Sequence, residues 1–241
     1  MANQITTASR VLNAEMIANL ASDAISSQPR RIQELLLTSK SEQTFSGLLA
    51  HQMSNFEPLV LSKADDPNSG SVLLEFKGKD YKRKTSNGVK NSRNFHDISI
   101  ANEQGEFEVI IENKFWYHFD GCKGKKNPKP EKGIRQQIEG DIFKIKQTLG
   151  GDPYGKKGFL LLNIVTPGDI TVFPSSYRKD HDVVFKRTSG DMNLYRSQGL
   201  QGILSVLEHF DENTDSSSSI KSHSLENGGF IDFICIQIKL S

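Results

Sequence analysis

Apolar residues recur at helical spacing through the first forty positions: Val11, Leu12, Ile17 and Leu20, then Ile32, Leu35 and Leu36. Gln28-Pro29 divides the run, because the residue before a proline is driven out of helical backbone space. A second helix is predicted over residues 41–56, ending before Pro58. Residues 72–76 read as a strand. So do 95–100 and 107–115, joined by 101–106, whose Asn102 and Gly105 suit a hairpin turn. The clearest helix is 133–149, where Ile134, Ile138, Ile142, Ile145 and Leu149 make one buried face. A continuous apolar strand follows at 158–165, stopped by Pro167-Gly168, and then a helix over 194–210. The serine-rich stretch 211–229 reads as an exposed, mobile loop. Residues 230–240 close the pattern as a strand apolar on both faces, hence internal to a sheet. Helices and strands interleave, which predicts an α/β fold: a central mixed β-sheet flanked by helices. The expected organisation is an N-terminal helical extension over 1–40 and one domain over 41–241.

Composition narrows the class. With 36% hydrophobic and 24% charged residues in 241, the chain has the balance of a folded soluble protein and the length to bury a core. Cys122 and Cys235 are too few for a disulfide framework or a four-thiolate zinc site. One bridge between them stays open, but two buried or free thiols of a reducing cytosol is the favoured reading. Apolar runs reach only a few residues, as at 159–162, so no membrane span is expected. Residues 1–10 are polar and lack the apolar stretch of a secretory signal. The expected location is cytoplasmic.

The net charge of +1, from 30 basic and 29 acidic side chains, announces no partner by itself. Its distribution does. Lys77, Lys79, Lys82, Arg83, Lys84, Lys90 and Arg93 crowd one segment; Lys123, Lys125, Lys126, Lys129, Lys132 and Arg135 crowd another. Two such blocks can neutralise a polyanion although the whole molecule is nearly neutral.

Between these blocks lies the candidate chemistry. In Val109-Ile110-Ile111-Glu112-Asn113-Lys114-Phe115 an apolar strand abruptly carries a carboxylate and an ammonium. Strand side chains alternate, so Glu112 and Lys114 share a face and Asn113 points away. Asp97 interrupts the preceding strand in the same manner, and hairpin pairing brings it toward Glu112. Two close carboxylates repel unless a cation sits between them. Mg²⁺, held by one or two carboxylates with waters and a phosphate oxygen, resolves that conflict. Lys114 would then hold or polarise a water beside the metal. Glu42 falls among Phe45, Leu49 and Met53 in the apolar stripe of its helix, where a carboxylate needs a partner.

Asp97, then Glu112-x-Lys114 on the next strand, then an amphipathic helix, resembles the pattern of the PD-(D/E)XK nuclease superfamily, the restriction-endonuclease-like fold. The resemblance covers residues 41–165, although His96 rather than proline precedes the aspartate. It implies an α/β/α core in which Asp97 and Glu112 bind Mg²⁺, with Mn²⁺ able to substitute, and Lys114 assists the attacking water. It further implies the backbone carbonyl of Asn113 as a metal ligand, and Glu42 as the glutamate some members carry on the first core helix. Some members add a glutamine on the helix after the E-x-K strand. Gln136 and Gln137 are both available, and the helical wheel favours Gln137, which borders the apolar stripe. The activity implied is Mg²⁺-dependent hydrolysis of DNA phosphodiesters, most naturally by a type II restriction-endonuclease-like enzyme. One site cuts one strand, so a homodimer is expected. Lys82, Arg83, Lys84, Lys90, Arg93, Lys123, Lys125 and Lys126 would contact the nucleic acid through its phosphates. The alternatives are a non-catalytic nucleic-acid-binding member of the fold, or a nuclease acting on RNA or in another defence or toxin role.

Other signals carry less. Residues 150–157 approach a phosphate-binding loop, but Lys157 stands where Ser or Thr should be. The loop also follows a helix and precedes a strand, the reverse of the required order, so no nucleotide cofactor is expected. His96 and His118 could line the cleft. Trp116 and its aromatic neighbours read as core.

Overall fold

The computed structural model describes residues 12–33, 42–56, 71–77, 81–85, 88–92, 95–101, 106–122, 130–150, 155–169, 175–225 and 228–240. Helix α1 (Ala14–Ser26) begins at Asn13, whose side-chain oxygen accepts the Met16 amide at 2.9 Å, a side-chain cap on an otherwise unpaired donor. Helix α2 spans Glu42–Ser54. Strands β1 (Ser71–Lys77), β2 (Tyr81–Thr85), β3 (Gly88–Ser92), β4 (Phe95–Ala101) and β5 (Phe107–Tyr117) follow. Then come the short α3 (His118–Gly121), α4 (Pro130–Leu149), β6 (Lys157–Thr166), α5 (Ser175–Arg187) and α6 (Met192–Leu207). A 3₁₀ turn (Glu208–Asn213) leads into β7 (Thr214–Ser224) and β8 (Phe230–Ile238).

Six strands form one mixed sheet in the order β1-β4-β5-β6-β8-β7, and β2 and β3 form a separate hairpin. β5 and β6 are parallel, as a helical crossover through α4 requires; the other pairs are antiparallel. The alternation of β5 sorts the core into two layers. Val109, Ile111, Phe115 and Tyr117 join α1 and α2 on one face. Ile110 and Trp116 join the predicted stripe of α4, together with Ile203 and Val206 of α6, on the other. β8 lies between β6 and β7 and is buried along nearly its whole length, as its two-sided apolar pattern predicts. Both cysteines are free and buried.

One expectation changes. The stretch 211–229 is not a loop in its described part: the 3₁₀ turn and β7 occupy it through Ser224. β7 is the outer strand of the sheet, held by backbone pairing with β8, so a serine-rich strand needs little apolar alternation of its own. Helix α1 packs onto the sheet: Ile17, Leu20 and Ile25 share a core with Phe233 and Cys235 of β8. Of the first basic block, Lys82, Arg83, Lys84 and Lys90 fall on the β2–β3 hairpin, with Arg83 in register with Lys90. Arg93, Lys123, Lys125 and Lys126 lie outside the described residues.

Candidate active site

The site is built where β4 and β5 separate. Their register runs only as far as Ile98↔Ile111, whereas β4 stays paired with β1 to Phe95 and β5 stays paired with β6 to Tyr117. In this fork the Asn113 amide donates to Asp97 Oδ2 at 2.7 Å, so a side-chain carboxylate replaces the missing ladder acceptor.

Glu112 is wholly buried on the α4 side of the sheet. Its Oε1 lies 2.6 Å from His96 Nδ1, and its Oε2 accepts from Lys144 Nζ at 3.1 Å. His96 is fixed in turn through Nε2 by Thr148 of α4 at 2.9 Å. Burial alone would raise the Glu112 carboxyl, but the His96 hydrogen bond and the Lys144 charge outweigh it and hold it below the usual carboxylate range. Asp97 has the opposite balance. Burial and then the neighbouring Glu112 charge push its carboxyl up to about 7, against Lys114 and the Asn113 amide.

Lys114 stands among carboxylates. Its Nζ donates to Glu42 Oε1 at 3.1 Å and to the Asn113 carbonyl at 3.1 Å, and it lies 3.4 Å from Asp141 Oδ2. Burial would release its proton, yet Asp141, Glu42, Asp97 and Glu112 together hold the ammonium well above its ordinary range. Lys114 is therefore a fixed cation and hydrogen-bond donor. Glu42 is one helical turn before Ser46, whose hydroxyl bonds the Glu42 carbonyl at 2.9 Å. Ser46 also accepts from Asn113 Nδ2 at 3.0 Å, and Asn163 of β6 donates to Asn113 Oδ1 and, at 2.9 Å, to the Lys114 carbonyl. This buried amide cluster, behind the sheet from Glu112, ties α2, β5 and β6 together and so fixes where Glu42 meets Lys114.

Four expected residues thus converge: Glu42, Asp97, Glu112 and Lys114. The Asn113 side chain points away, as alternation requires. Gln137 does not join them; its carbonyl oxygen accepts from the Trp116 indole at 3.1 Å. His118 is also elsewhere, buried between Asp232 at 2.8 Å and Thr166 at 2.6 Å. Asp232 there takes a two-pronged bond from Arg196 and a 2.5 Å bond from Ser222.

Sequence reasoning missed Asp141 and Lys144. Lys144 Nζ lies 3.2 Å from Asp141 Oδ1, while the buried Asp141 Oδ2 accepts no hydrogen bond. Burial raises the Asp141 carboxyl despite the Lys114 and Lys144 charges. The available signal was spacing, since positions 137, 141, 144 and 148 run along the flank of the apolar stripe of α4.

Among the described residues no group of three or more His, Cys, Asp or Glu side chains is spaced to hold a metal ion. Mg²⁺ does not demand one, because one or two carboxylates and waters suffice. Among the described residues, Glu42, Asp97, Glu112 and Asp141 have two ammoniums beside them, Lys114 and Lys144, with His96 on Glu112, a surplus of carboxylates over ammoniums. The hard oxygen donors and the Asp141 oxygen without a hydrogen bond fit a small dication.

The chain is an α/β protein with a mixed six-stranded sheet flanked by helices. No helix among the described residues is long and apolar enough to cross a membrane. No protein-family model, curated protein or solved structure matches the chain.

Proposed function

We propose that this protein is a Mg²⁺-dependent endonuclease with a restriction-endonuclease-like core, hydrolysing DNA phosphodiesters. The observation that carries the reading is the meeting of Asp97, Glu112 and Lys114 at the β4–β5 fork, with Glu42 of α2 closing on Lys114. The order of elements supports it: a helix, the antiparallel run β1-β4-β5, then α4 crossing to the parallel β6.

Asp97 and Glu112 would hold the cation, with the Asn113 carbonyl beside them. When bound, Mg²⁺ supplies Lewis-acid polarisation of the phosphodiester and the charge that balances the carboxylates. The chain's own groups prepare the rest. His96 fixes the ionised Glu112 carboxylate in one orientation. Lys114, kept protonated, donates hydrogen bonds toward an attacking water or a phosphate oxygen and does not serve as the base. The hairpin carrying Lys82, Arg83, Lys84 and Lys90 joins the edge strand β1 to β4, the strand of Asp97. Basic residues there would neutralise phosphates flanking the cut.

The test is cleavage of supercoiled plasmid and of generic RNA with Mg²⁺, with EDTA, and with Glu112→Ala and Lys114→Ala. Metal-dependent DNA fragments that vanish in both folded variants support the proposal. Cleavage of RNA alone redirects the substrate, and binding of DNA without cleavage by the folded, metal-loaded chain overturns the nuclease reading.

A further inference from the structure

Glu112 has two partners of unlike character. The His96 ring is wholly buried, so its hold is sealed inside the core. Lys144 keeps 24% of its side chain exposed, so this partner alone has a way out. Its ammonium bridges Glu112 Oε2 at 3.1 Å and Asp141 Oδ1 at 3.2 Å. A lysine is a compact charge on a flexible four-carbon stem, able to let go of one carboxylate while keeping another. Glu112 is also one of the two carboxylates that the proposed site assigns to the divalent cation, and Lys144 Nζ sits on its Oε2. An ammonium and a dication cannot both occupy the same carboxylate oxygen at close range, because their like charges repel.

We propose that Lys144 is a positioning residue that serves as the resident counter-ion of Glu112, that a divalent cation competes with it for that carboxylate, and that Asp141 retains the displaced ammonium. This rests on the reading of the site as a hard-cation site. Lys144 keeps a buried carboxylate compensated until the cation arrives. Its ammonium, once released, stays beside the cleft on Asp141 as a donor for a phosphate oxygen. Cation binding and phosphate recognition are thereby linked through one side chain.

Mn²⁺ binding to the full chain, followed by electron paramagnetic resonance, tests this in the wild type, Lys144→Met and Lys144→Arg, each with and without Glu112→Gln. Lys144→Met is expected to bind Mn²⁺ about tenfold tighter or more. Lys144→Arg stays close to the wild type, and Glu112→Gln removes the advantage of Lys144→Met. A second readout needs no variant at position 144 to fold: the side-chain nitrogen resonance of Lys144 should move when the wild type is saturated with Mg²⁺. Equal or weaker Mn²⁺ affinity in folded Lys144→Met, or a Lys144 resonance unmoved by Mg²⁺, overturns the competition and leaves the cation site standing. A wild type that binds no Mn²⁺ overturns the site itself and the competition with it.

Discussion

Asn113 donates its backbone N–H to Asp97 Oδ2 at 2.7 Å, across the fork where β4 and β5 part. One carboxylate thus replaces a strand-pairing bond and brings negative charge up to Glu112. The cost appears in its protonation, since burial and Glu112 push the Asp97 carboxyl up to about 7.

That shift sets a pH dependence. Between about pH 4, the ordinary aspartate value, and about 7, the folded chain keeps a proton that the unfolded chain has lost. Stability therefore falls as pH rises through this window. Asp97→Asn removes the term. Without added divalent ions its melting temperature relative to the wild type should climb by several degrees from pH 5 to pH 8, and Mg²⁺ should narrow the gap by stabilising the wild type. A difference that is flat with pH would refute this account of Asp97.

Lys114 is the counter-ion shared by Glu42 and Asp141. Lys114→Met should lower the cleavage rate by about a hundredfold or more, with circular dichroism confirming the fold. Lys114→Arg keeps the charge but not the compact ammonium, and should fall between the two. Full activity in Lys114→Met would remove the residue from the mechanism.

Asp232 is held below the ordinary carboxylate range because hydrogen bonds from Arg196, His118 and Ser222 overcome the burial that would raise it. Its contribution is present above about pH 4, where an unfolded aspartate ionises, and fades as acid is added toward the lower folded value. Asp232→Asn should cost about 3–5 kcal/mol at pH 7, measured by urea unfolding, and the gap should close below about pH 4.

Glycines on two helices should respond oppositely to alanine. Gly202 of α6 faces the Gly121 carbonyl of α3 so closely that a Cβ would collide with backbone. Gly202→Ala should destabilise by about 1–3 kcal/mol or more. Gly140 of α4 has nothing within 4 Å of its Cβ direction, so Gly140→Ala should stabilise by about 1 kcal/mol. Thermal unfolding of both variants decides.

The sequence was most readable where periodicity and charge coincide. Glu112 and Lys114 break an apolar strand at alternating positions, and Ile134 through Leu149 mark one face of α4, so the sheet, the crossover helix and the central acidic groups could be anticipated. Asp141 and Lys144 escaped because charged residues beside an apolar stripe look like an ordinary solvated flank. Only the crossing of α4 over the fork makes them partners of Lys114 and Glu112. Gln137 misled for the related reason that a stripe-bordering glutamine can bond any neighbour, here the Trp116 indole. β7 was hidden by composition, since its serine-rich sequence shows no apolar alternation and only its backbone pairing with β8 reveals it as a strand. α5 gave no clear apolar period.

The placement of β8 between β6 and β7 makes it the strand that joins the outer serine-rich strand to the rest of the sheet. β7 precedes β8 in the chain, yet among the described residues its strand neighbour is β8. Until β8 arrives, β6 also presents a bare edge of buried-type residues such as Leu160, Leu161 and Leu162. A chain caught at that stage offers an apolar template for pairing with other chains. Insertion of β8 closes that edge and gives β7 its strand neighbour in the same event, so one strand both completes the sheet and covers its apolar template.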